Sequence, residues 1–474
     1  MAYRPCIGVE VHAQLLTDSK MFCGCSTQFG NTANSQCCPV CSGIPGSLPV
    51  INRKAVEFVL RTGTALGCRP APRCRFARKN YFYPDLAKNY QISQYEEPLT
   101  AGGRMTLEVD GEAVDIRIRR VHLEEDTGKN FHLPDGTSLV EYNRCGVPLM
   151  EVVTEPDFTS AEQVREYLNE LRAIFRYLGV SSAAMEEGAM RAEPSVNLVD
   201  PLTGDATPRV EIKNLASVRA VYDAVKYELW RQQQALDAEE PMTQQTRRWS
   251  VERQETQVMR DKESSEDYMY FPEPDLVPME VNEAWAARVA AELPELPRAR
   301  RARFVTEYGL PAYDAEVLTA QRELADYFEA VARTAGDAKA ASNWVMGDLT
   351  RLLNETAQAV AASPVSADQL AELVRMIGEG RLTSKLAKDV FEEMFRTGGS
   401  APDIMAAQGL GVVNDAGELE PIIAAVLSEN AEAVASYRSG RKQAKGVLVG
   451  AVMKATHGQA DPKLVNQLLE KALG

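Results

Sequence analysis

The chain has 474 residues and a formal charge of −15, from 52 Lys and Arg against 67 Asp and Glu. Hydrophobic residues make up 45% and charged residues 25%, which excludes a disordered or collagen-like chain and is typical of a globular protein of about three domains. The negative net charge argues against a general nucleic-acid coat protein, although it is compatible with a local basic surface.

The N-terminal segment and the cysteines predict a cytoplasmic protein. Residues 1–7 lack the basic and then apolar pattern of a signal peptide, and the chain has no apolar run of 18 residues, so we expect no membrane association. The nine cysteines are an odd number without a secretion signal, which is typical of reduced thiols and not of a disulfide framework.

The first motif that carries chemistry is Gly8-Val9-Glu10-Val11-His12. On a strand, Glu10 and His12 project from one face, while the flanking aliphatic residues point to the other. A carboxylate beside an imidazole can bind a divalent metal or transfer protons. The alternative interpretation is an ordinary polar pair at a sheet edge.

Two close cysteine pairs follow, Cys23 with Cys25 and Cys38 with Cys41. Four thiolates from two such pairs can surround Zn²⁺ tetrahedrally and stabilise a loop that has no core of its own. Cys37 is an alternative to Cys38 as a ligand. Free buried cysteines are the competing interpretation of the whole cluster.

A segment rich in cations and aromatic residues spans residues 78–85 and continues to Lys88 and Gln91. This interleaving is typical of loops that contact phosphates or stacked bases, with ordinary aromatic packing as the alternative. A comparable density recurs at residues 211–214 and 260–275.

Residues 105–121 predict a β-hairpin, because Asp110-Gly111 suits a type I′ turn between two strands. The second strand leads into His122-Leu123-Glu124-Glu125-Asp126. Three successive carboxylates are costly to bury without a cation, so they indicate either a cation site or a solvated turn. Further carboxylates at Glu151 and Glu155, with few histidines in the chain, favour an oxygen-lined Mg²⁺ site.

Residues 160–179 predict a helix, with Ser160 and Gln163 as a capping box and Gly179 as the C-terminal stop. Alternating strands and turns with few long helices predict an α+β fold for this part of the chain.

Two prolines at positions 294 and 297 indicate a linker, after which the pattern is almost entirely helical. Glycines near residue 409 indicate a second break. We therefore expect an α+β domain at residues 1–293, with a zinc-binding loop at residues 23–41, and two helical domains at 294–406 and 407–474.

The last segment, residues 437–474, is basic within an acidic chain, with seven Lys and Arg against two acidic residues. A basic helical tail is typical of contact with a polyanion, and a solvated helix face is the alternative. The candidate contact residues are Arg441, Lys442, Lys445 and Lys454.

Two absences in the sequence restrict the chemistry. The chain has no Walker A loop, so any ATP site is not of the P-loop type. It also has no nucleophile elbow, so we expect no amide hydrolysis by a serine route.

Several long motifs of unusual composition resemble the GatB/GatE family of bacterial tRNA-dependent amidotransferases. The motifs are residues 8–12, 78–85, 90–94, 122–129, 185–188, 211–215, 267–275, 342–344 and 448–469. The resemblance covers essentially the whole chain. It implies a cradle-shaped α+β domain with a largely antiparallel sheet, a helical domain, and a YqeY-like helical tail that binds tRNA.

The resemblance also implies a reaction, that of an ATP-dependent ligase with glutamine as the nitrogen donor. ATP would phosphorylate the side-chain carboxylate of Glu or Asp misattached to tRNA(Gln) or tRNA(Asn), and ammonia would then displace phosphate to form the amide. The implied cofactors are ATP, Mg²⁺ and a structural Zn²⁺. The alternative is a non-catalytic protein that serves as a scaffold for tRNA within such a complex.

The implied partners are an amidase (glutaminase) subunit that supplies ammonia from glutamine, a further small subunit of the amidotransferase, the misacylated tRNA, and a non-discriminating aminoacyl-tRNA synthetase. The resemblance does not indicate which of the two tRNAs is served.

The resemblance assigns roles to individual residues. The expected Mg²⁺ ligands are Glu10, His12 and Glu125, with Glu151 next. Lys79 and Lys88 would line an ammonia route or contact phosphate. The expected nucleotide contacts are Glu211, Lys213, Asn214, Arg260 and Lys262. Cys23, Cys25, Cys38 and Cys41 would hold Zn²⁺ in a structural role.

One stretch departs from the family pattern. Members commonly have Arg-Cys-Asp and then Asn two residues later, whereas this chain has Arg191-Ala192-Glu193-Pro194-Ser195. Arg191 is retained, and we assign no role to Ala192 or Ser195.

Overall fold

The computed structural model describes residues 3–261, 268–409, 416–439, 441–456 and 459–473. It divides into two compact units, the first ending at Pro297 and the second beginning at Arg298. Strands are concentrated in the first unit and the second is helical, which confirms the predicted α+β class. The finer division into three domains stays a prediction. Within the described residues, no helix combines the length and the apolar character needed to cross a membrane.

The first unit contains the strands and the first four helices. The strands are β1 (Arg4–Gln14), β2 (Arg69–Pro70), β3 (Arg73–Cys74), β4 (Ala77–Asn80), β5 (Tyr90–Ser93), β6 (Thr100–Val109), β7 (Glu112–Glu125), β8 (Lys129–His132), β9 (Ser138–Glu141), β10 (Pro148–Thr154), β11 (Met190–Val199), β12 (Val210–Lys213), β13 (Gln245–Ser250), β14 (Glu255–Asp261), β15 (Met269–Pro272) and β16 (Met279–Glu280). The helices are α1 (Arg53–Ala65), α2 (Ala161–Leu178), α3 (Val218–Asp237) and α4 (Glu283–Ala291).

Within the part of the chain that the structure describes, the main sheet has nine strands, in the order β14-β13-β12-β11-β1-β10-β7-β6-β2. All its pairs are antiparallel except β12 with β13. The predicted hairpin is confirmed as β6 and β7, and both turn residues, Asp110 and Gly111, have positive φ as a type I′ turn requires. A second sheet, β15-β4-β5, has three strands.

Alternation along β1 sends its side chains to two environments. Ile7, Val9 and Val11 are almost completely buried in a core that also contains residues of α1, α2 and α3, and each buried aliphatic side chain contributes about 1.5–3 kcal/mol. Glu10 and His12 point to the other face, as the period of two predicts. The helices therefore cover one face of the sheet and leave the other for polar groups.

Helix α2 begins and ends where the sequence predicts. The Ser160 hydroxyl accepts from the Gln163 amide, and Gly179 ends the helix in the left-handed conformation. The predicted capping box differs in one contact, because the Gln163 side chain accepts from the backbone N–H of Thr159.

The second unit contains the remaining helices. They are α5 (Pro297–Glu307), α6 (Ala312–Leu318), α7 (Arg322–Ala335), α8 (Ala338–Trp344), α9 (Thr350–Glu355), α10 (Ala367–Gly378), α11 (Ser384–Thr397), α12 (Ala401–Gln408), α13 (Ala416–Glu429), α14 (Ala431–Arg438), α15 (Ala444–Ala455) and α16 (Pro462–Leu473), with a π-helical turn at Val345–Leu349 and a 3₁₀ turn at Val360–Ala362. Phe328 and Phe391 belong to one hydrophobic cluster, and Leu419 and Leu469 to another.

Candidate active site

A polar cavity of about 340 Å³ lies on the face of the main sheet that the helices leave open. Strands β1, β7, β10, β11 and β12 supply one wall, and residues of β4, β5 and β15 supply another. The lining residues are Glu10, His12, Lys79, Tyr81, Gln91, Ser93, Gln94, Arg120, His122, Glu124, Asp126, Thr127, Leu149, Glu151, Arg191, Glu193, Glu211, Lys213, Tyr268 and Tyr270.

Strand register brings three of these residues, His12, Glu124 and Glu151, into one cluster. His12 on β1 pairs with Glu151 on β10, and Glu151 pairs with His122 on β7. His12 Nε2 lies 3.3 Å from Glu124 Oε1 and 3.5 Å from Glu151 Oε2. One ligand atom from each of His12, Glu124 and Glu151 lies within 4.8 Å of the others. Two carboxylates and an imidazole fit a divalent cation that accepts oxygen and nitrogen ligands.

The charges of this cluster depend on one another. Burial disfavours the imidazolium of His12, but Glu151 and Glu124 outweigh this effect and raise the pKa of His12 to about 9. Burial likewise opposes ionisation of Glu151, but His122 and His12 hold the pKa of Glu151 well below its usual range. Without a cation, the cluster therefore holds a proton on His12 that a metal ion would displace.

A second histidine stabilises the arrangement. His122 is buried, and its Nε2 lies 3.3 Å from Glu151 Oε2. Among the described residues, the Nδ1 atoms of both His12 and His122 are buried without a hydrogen-bond partner. Such unpartnered atoms are rare in folded proteins and are typical of sites that receive a ligand or water.

Glu10 differs from the other carboxylates of the cavity. Desolvation by the cavity walls, followed by repulsion from Glu151 and other carboxylates, raises the pKa of Glu10 to about 7. A carboxylate with that pKa can accept and release a proton near neutral pH.

Four cationic side chains line the same cavity, those of Lys79, Arg120, Arg191 and Lys213. The Lys79 ammonium lies 4.8 Å from the centre of the Tyr268 ring, and Arg191 Nη2 lies 2.8 Å from Asp126 Oδ1. Lys213 Nζ lies 2.7 Å from a Glu193 oxygen and 2.9 Å from a Glu211 oxygen. The cavity therefore has both the anionic groups that bind cations and the cationic groups that bind phosphate oxygens.

The structure does not bring Glu125, an expected Mg²⁺ ligand, to the cavity. Successive strand residues point to opposite faces, so Glu124 takes the position beside His12. Glu125 instead forms an ion pair with Lys88 and accepts a hydrogen bond from the Ile92 amide at 2.9 Å. Lys88 likewise does not line the cavity, whereas Lys79 does.

Only some of the residues expected to contact the nucleotide line the cavity. Glu211 and Lys213 line the cavity. Asn214 follows β12 with a φ of 63° and is not among the lining residues. The side chain of Arg260 and all of Lys262 lie outside the described residues.

The segment that departs from the family pattern lies on β11. Its alternation places Arg191 and Glu193 in the cavity wall, while Ala192 is 2% exposed within the hydrophobic core. Position 192 therefore faces away from the candidate site, and the departure there does not remove a side chain from the cavity.

The four predicted cysteines form a second cluster. One sulfur from each of Cys23, Cys25, Cys38 and Cys41 lies within 4.8 Å of the others, and Cys37 is not part of the group. The sulfurs of Cys38 and Cys41 are 3.9 Å apart, close to the separation of about 3.8 Å expected for thiolates at 2.3 Å from a tetrahedral Zn²⁺. The donor set therefore fits that ion.

The four basic residues predicted in the tail have different surroundings. Arg441 and Lys442 are exposed and line an open concave surface together with Ser436 and Val447. Lys445 pairs with Glu470, and Lys454 is exposed on α15.

The sequence analysis identified the run from His122 to Asp126 but gave no individual role to His122, Glu124 or Glu193, which line the cavity. The period of two along β7 could have shown that His122 and Glu124 share a face and that Glu125 does not. The choice between those faces required the pairing register of β7 with β10 and β1.

Comparisons with known proteins agree with this architecture. Residues 5–287 match the family model described as the GatB/GatE catalytic domain, and residues 326–473 match the model described as the GatB domain. A relative in Moorella thermoacetica is 50% identical over 476 residues, covering all of both chains. Relatives in Geotalea daltonii and Caldanaerobacter subterraneus are 48% and 47% identical, again over the full length of both chains. All three are named as the B subunit of aspartyl/glutamyl-tRNA(Asn/Gln) amidotransferase.

Proposed function

Because the chain belongs to the GatB/GatE family, we propose that it is the synthetase subunit of a tRNA-dependent amidotransferase. In this proposal it phosphorylates the side-chain carboxylate of Glu-tRNA(Gln) or Asp-tRNA(Asn) with ATP and then replaces the phosphate with ammonia. Free carboxylate is a poor acyl donor, and the acyl phosphate supplies a good leaving group. The names of the relatives support the amidotransferase complex, and the chemistry of the cavity supports the two steps.

The observation that carries the proposal is the convergence of His12, Glu124 and Glu151 beside Lys79 and Lys213 in one cavity. Phosphoryl transfer to a carboxylate brings two anions together, so it requires cations that offset the developing charge. A tRNA scaffold without catalysis has no use for converging acidic groups. His12, Glu124 and Glu151 would hold Mg²⁺, which supplies electrostatic stabilisation to the phosphates.

The chain's own cations complete the phosphate site. Lys79 is held in the cavity by the ring of Tyr268 and by the negative charge of Glu124, which helps to raise the pKa of Lys79 despite burial. Lys213 is oriented by Glu193 and Glu211. Both ammonium groups remain charged at neutral pH and would bind phosphate oxygens of ATP or of the acyl phosphate.

Glu10 would act in the second step. Ammonia loses a proton as it becomes an amide, and a neighbouring carboxylate can accept it. Glu10 lines the cavity, and without a bound cation desolvation by the cavity walls raises the pKa of Glu10 to about 7, which suits a group that takes up a proton near neutral pH. Glu10 therefore serves as proton acceptor in this proposal.

The remaining groups fit supporting roles. Lys88 and Glu125 form an ion pair that does not line the cavity, so we assign Lys88 to the ammonia route and not to phosphate contact. The four-cysteine cluster would hold a structural Zn²⁺. The exposed Arg441 and Lys442 would contact the tRNA backbone. Ammonia would come from a separate amidase subunit, with a further small subunit completing the complex.

The test uses the chain co-purified with the amidase and small subunits, with ATP, Mg²⁺ and Glu-tRNA(Gln) or Asp-tRNA(Asn). Glutamine is supplied in one reaction and ammonium chloride in its place in another. We expect amidated tRNA from both nitrogen sources, with stoichiometric consumption of ATP. Binding of tRNA without ATP consumption on either substrate would overturn the proposal and favour the scaffold.

A further inference from the structure

Lys20 is a lysine that neither the candidate active site nor the tail uses, and it is fully buried. Lysine is among the residues least often buried without a partner, because an ammonium group loses its hydration in the interior. The Lys20 ammonium therefore needs hydrogen-bond acceptors, and the identity of these acceptors indicates the role of Lys20.

Three acceptors surround the Lys20 ammonium. Nζ donates to the backbone carbonyl of Gln36 at 2.7 Å, to the backbone carbonyl of Tyr142 at 3.3 Å and to Cys41 Sγ at 3.6 Å. An ammonium group has three donors, so each one has an acceptor. One of the three acceptors is a sulfur of the four-cysteine cluster.

The backbone of Lys20 contacts the same cluster. Its amide donates to the Cys25 carbonyl at 2.9 Å. A Cβ atom built at Gly146 would lie 3.5 Å from both Cys41 Cβ and Lys20 Cδ, so Lys20, Cys41 and the segment after Tyr142 are packed together. Lys20 thus joins three separate stretches of chain: the two halves of the cysteine loop and the segment that leads into β10.

The negative charge of a zinc-bound cysteine cluster explains why a cation beside Cys41 would be favourable. Four thiolates around a divalent ion carry a net charge of −2, which is unfavourable in a partly buried loop unless cations or hydrogen-bond donors offset it. Outer groups that donate to metal ligands orient them and tune the affinity of the site. Within the described residues that contact Cys41, Lys20 supplies a full positive charge and a hydrogen bond to a ligand sulfur.

We propose that Lys20 is a positioning residue of the cysteine cluster. Its ammonium orients Cys41 as a zinc ligand and thereby attaches the bound Zn²⁺ more firmly to the α+β domain. This inference rests on the zinc site of the proposed function.

The main experiment compares zinc affinity of the full chain with that of Lys20→Met, by competition with a chromophoric chelator. Methionine preserves the unbranched apolar stem and removes the charge and the donors. We expect Lys20→Met to bind zinc about 10-fold to 100-fold more weakly, the usual effect of losing such an outer group. Lys54→Met, at an exposed lysine on α1, is the matched control and should keep wild-type affinity.

A spectroscopic readout separates positioning from general destabilisation. Co²⁺ in place of zinc gives sulfur-to-metal charge-transfer bands that report the geometry of the thiolates. We expect these bands to shift or weaken in Lys20→Met and to be restored at least in part in Lys20→Arg, which keeps the charge. Wild-type zinc affinity and an unchanged Co²⁺ spectrum in Lys20→Met would overturn the inference.

A second measurement needs no variant and decides the matter if Lys20→Met fails to fold. The wild-type chain is treated with acetic anhydride before and after zinc removal, and acetylation of Lys20 and Lys54 is read by mass spectrometry. We expect Lys20 to become reactive only after zinc removal, while Lys54 reacts in both states. Equal protection of Lys20 in both states would overturn the inference. A wild-type chain that retains no zinc would instead overturn the metal site itself.

Discussion

Glu124 Oε1 lies 3.3 Å from His12 Nε2, whereas the neighbouring Glu125 forms an ion pair with Lys88. Two adjacent carboxylates of one strand thus have different partners, because successive side chains of a strand point to opposite faces. Glu124, and not Glu125, therefore lies where the proposed cation would bind, and variants of the two neighbouring residues can be compared directly.

We predict that Glu124→Gln abolishes both ATP consumption and amide formation with either nitrogen source, because it removes a carboxylate from the cluster that would hold the cation. Loss of a group that stabilises transition-state charge typically costs about 10²-fold to 10³-fold in rate. The matched variant Glu125→Gln leaves the His12 cluster intact and should retain ATP consumption. Assays of ATP turnover and of amidated tRNA distinguish the two. Equal loss of ATP consumption in both variants would contradict the assignment.

Cation binding by the metal-free protein should strengthen as the pH rises. Below a pKa of about 9, His12 is protonated under the influence of Glu151 and Glu124, which outweigh its burial, and a cation must displace that proton. The association constant should therefore rise by up to about tenfold per pH unit between neutral pH and pH 9. Titration with Mn²⁺, followed by electron paramagnetic resonance at several pH values, measures this slope. His12→Gln should flatten it, and a slope unchanged in that variant would refute the role of His12.

In the second unit, Glu329 is predicted to stabilise the fold as an anion. Burial opposes its ionisation, but hydrogen bonds from Arg303 and Arg300 prevail and lower the pKa of Glu329 to about 2, from an ordinary value of 4.5. Its contribution is therefore complete above pH 4.5 and is lost as the pH falls toward 2. Glu329→Gln should lower the free energy of unfolding by about 2 kcal/mol at neutral pH, after allowance for solvent screening.

Thermal unfolding of the full chain, followed by calorimetry at neutral and acid pH, tests this effect. Glu307→Gln is the control, because Glu307 also pairs with Arg303 but its side chain is 60% exposed. An exposed pair contributes about 0–1 kcal/mol. Equal destabilisation by the two variants would show that burial does not set the strength of the Glu329 pair.

The tail should contribute electrostatically to tRNA binding. Replacing both Arg441 and Lys442 by Gln should weaken tRNA affinity and lower the slope of log K against log salt by about 1 for each phosphate that is no longer neutralised. Filter binding at several salt concentrations measures the slope. Lys385→Gln, at an exposed lysine on α11, should leave it unchanged. An identical slope in the tail variant would exclude these two residues from the tRNA interface.

Much of the local structure follows from the sequence, because its signals act over a few residues. Asp110-Gly111 specifies the hairpin turn, and Ser160 with Gly179 specifies the ends of α2. The cysteine cluster could also be predicted from the sequence, because two closely spaced pairs restrict the geometry of four thiolates. The reaction could not be predicted from the residues alone. Their patterns indicated a cation site near phosphate, and the family resemblance supplied the substrate.

The sequence by itself determined the α+β class, the two faces of β1 and the identity of the four clustered cysteines, since alternation, capping and close spacing are local properties. Tertiary structure decided which carboxylate joins His12, and it placed Glu193 and Lys213 in the same cavity wall. It also buried Lys20 against Cys41. These placements depend on the pairing register of strands distant in sequence, and a shift of one residue would turn every side chain of a strand to its other face.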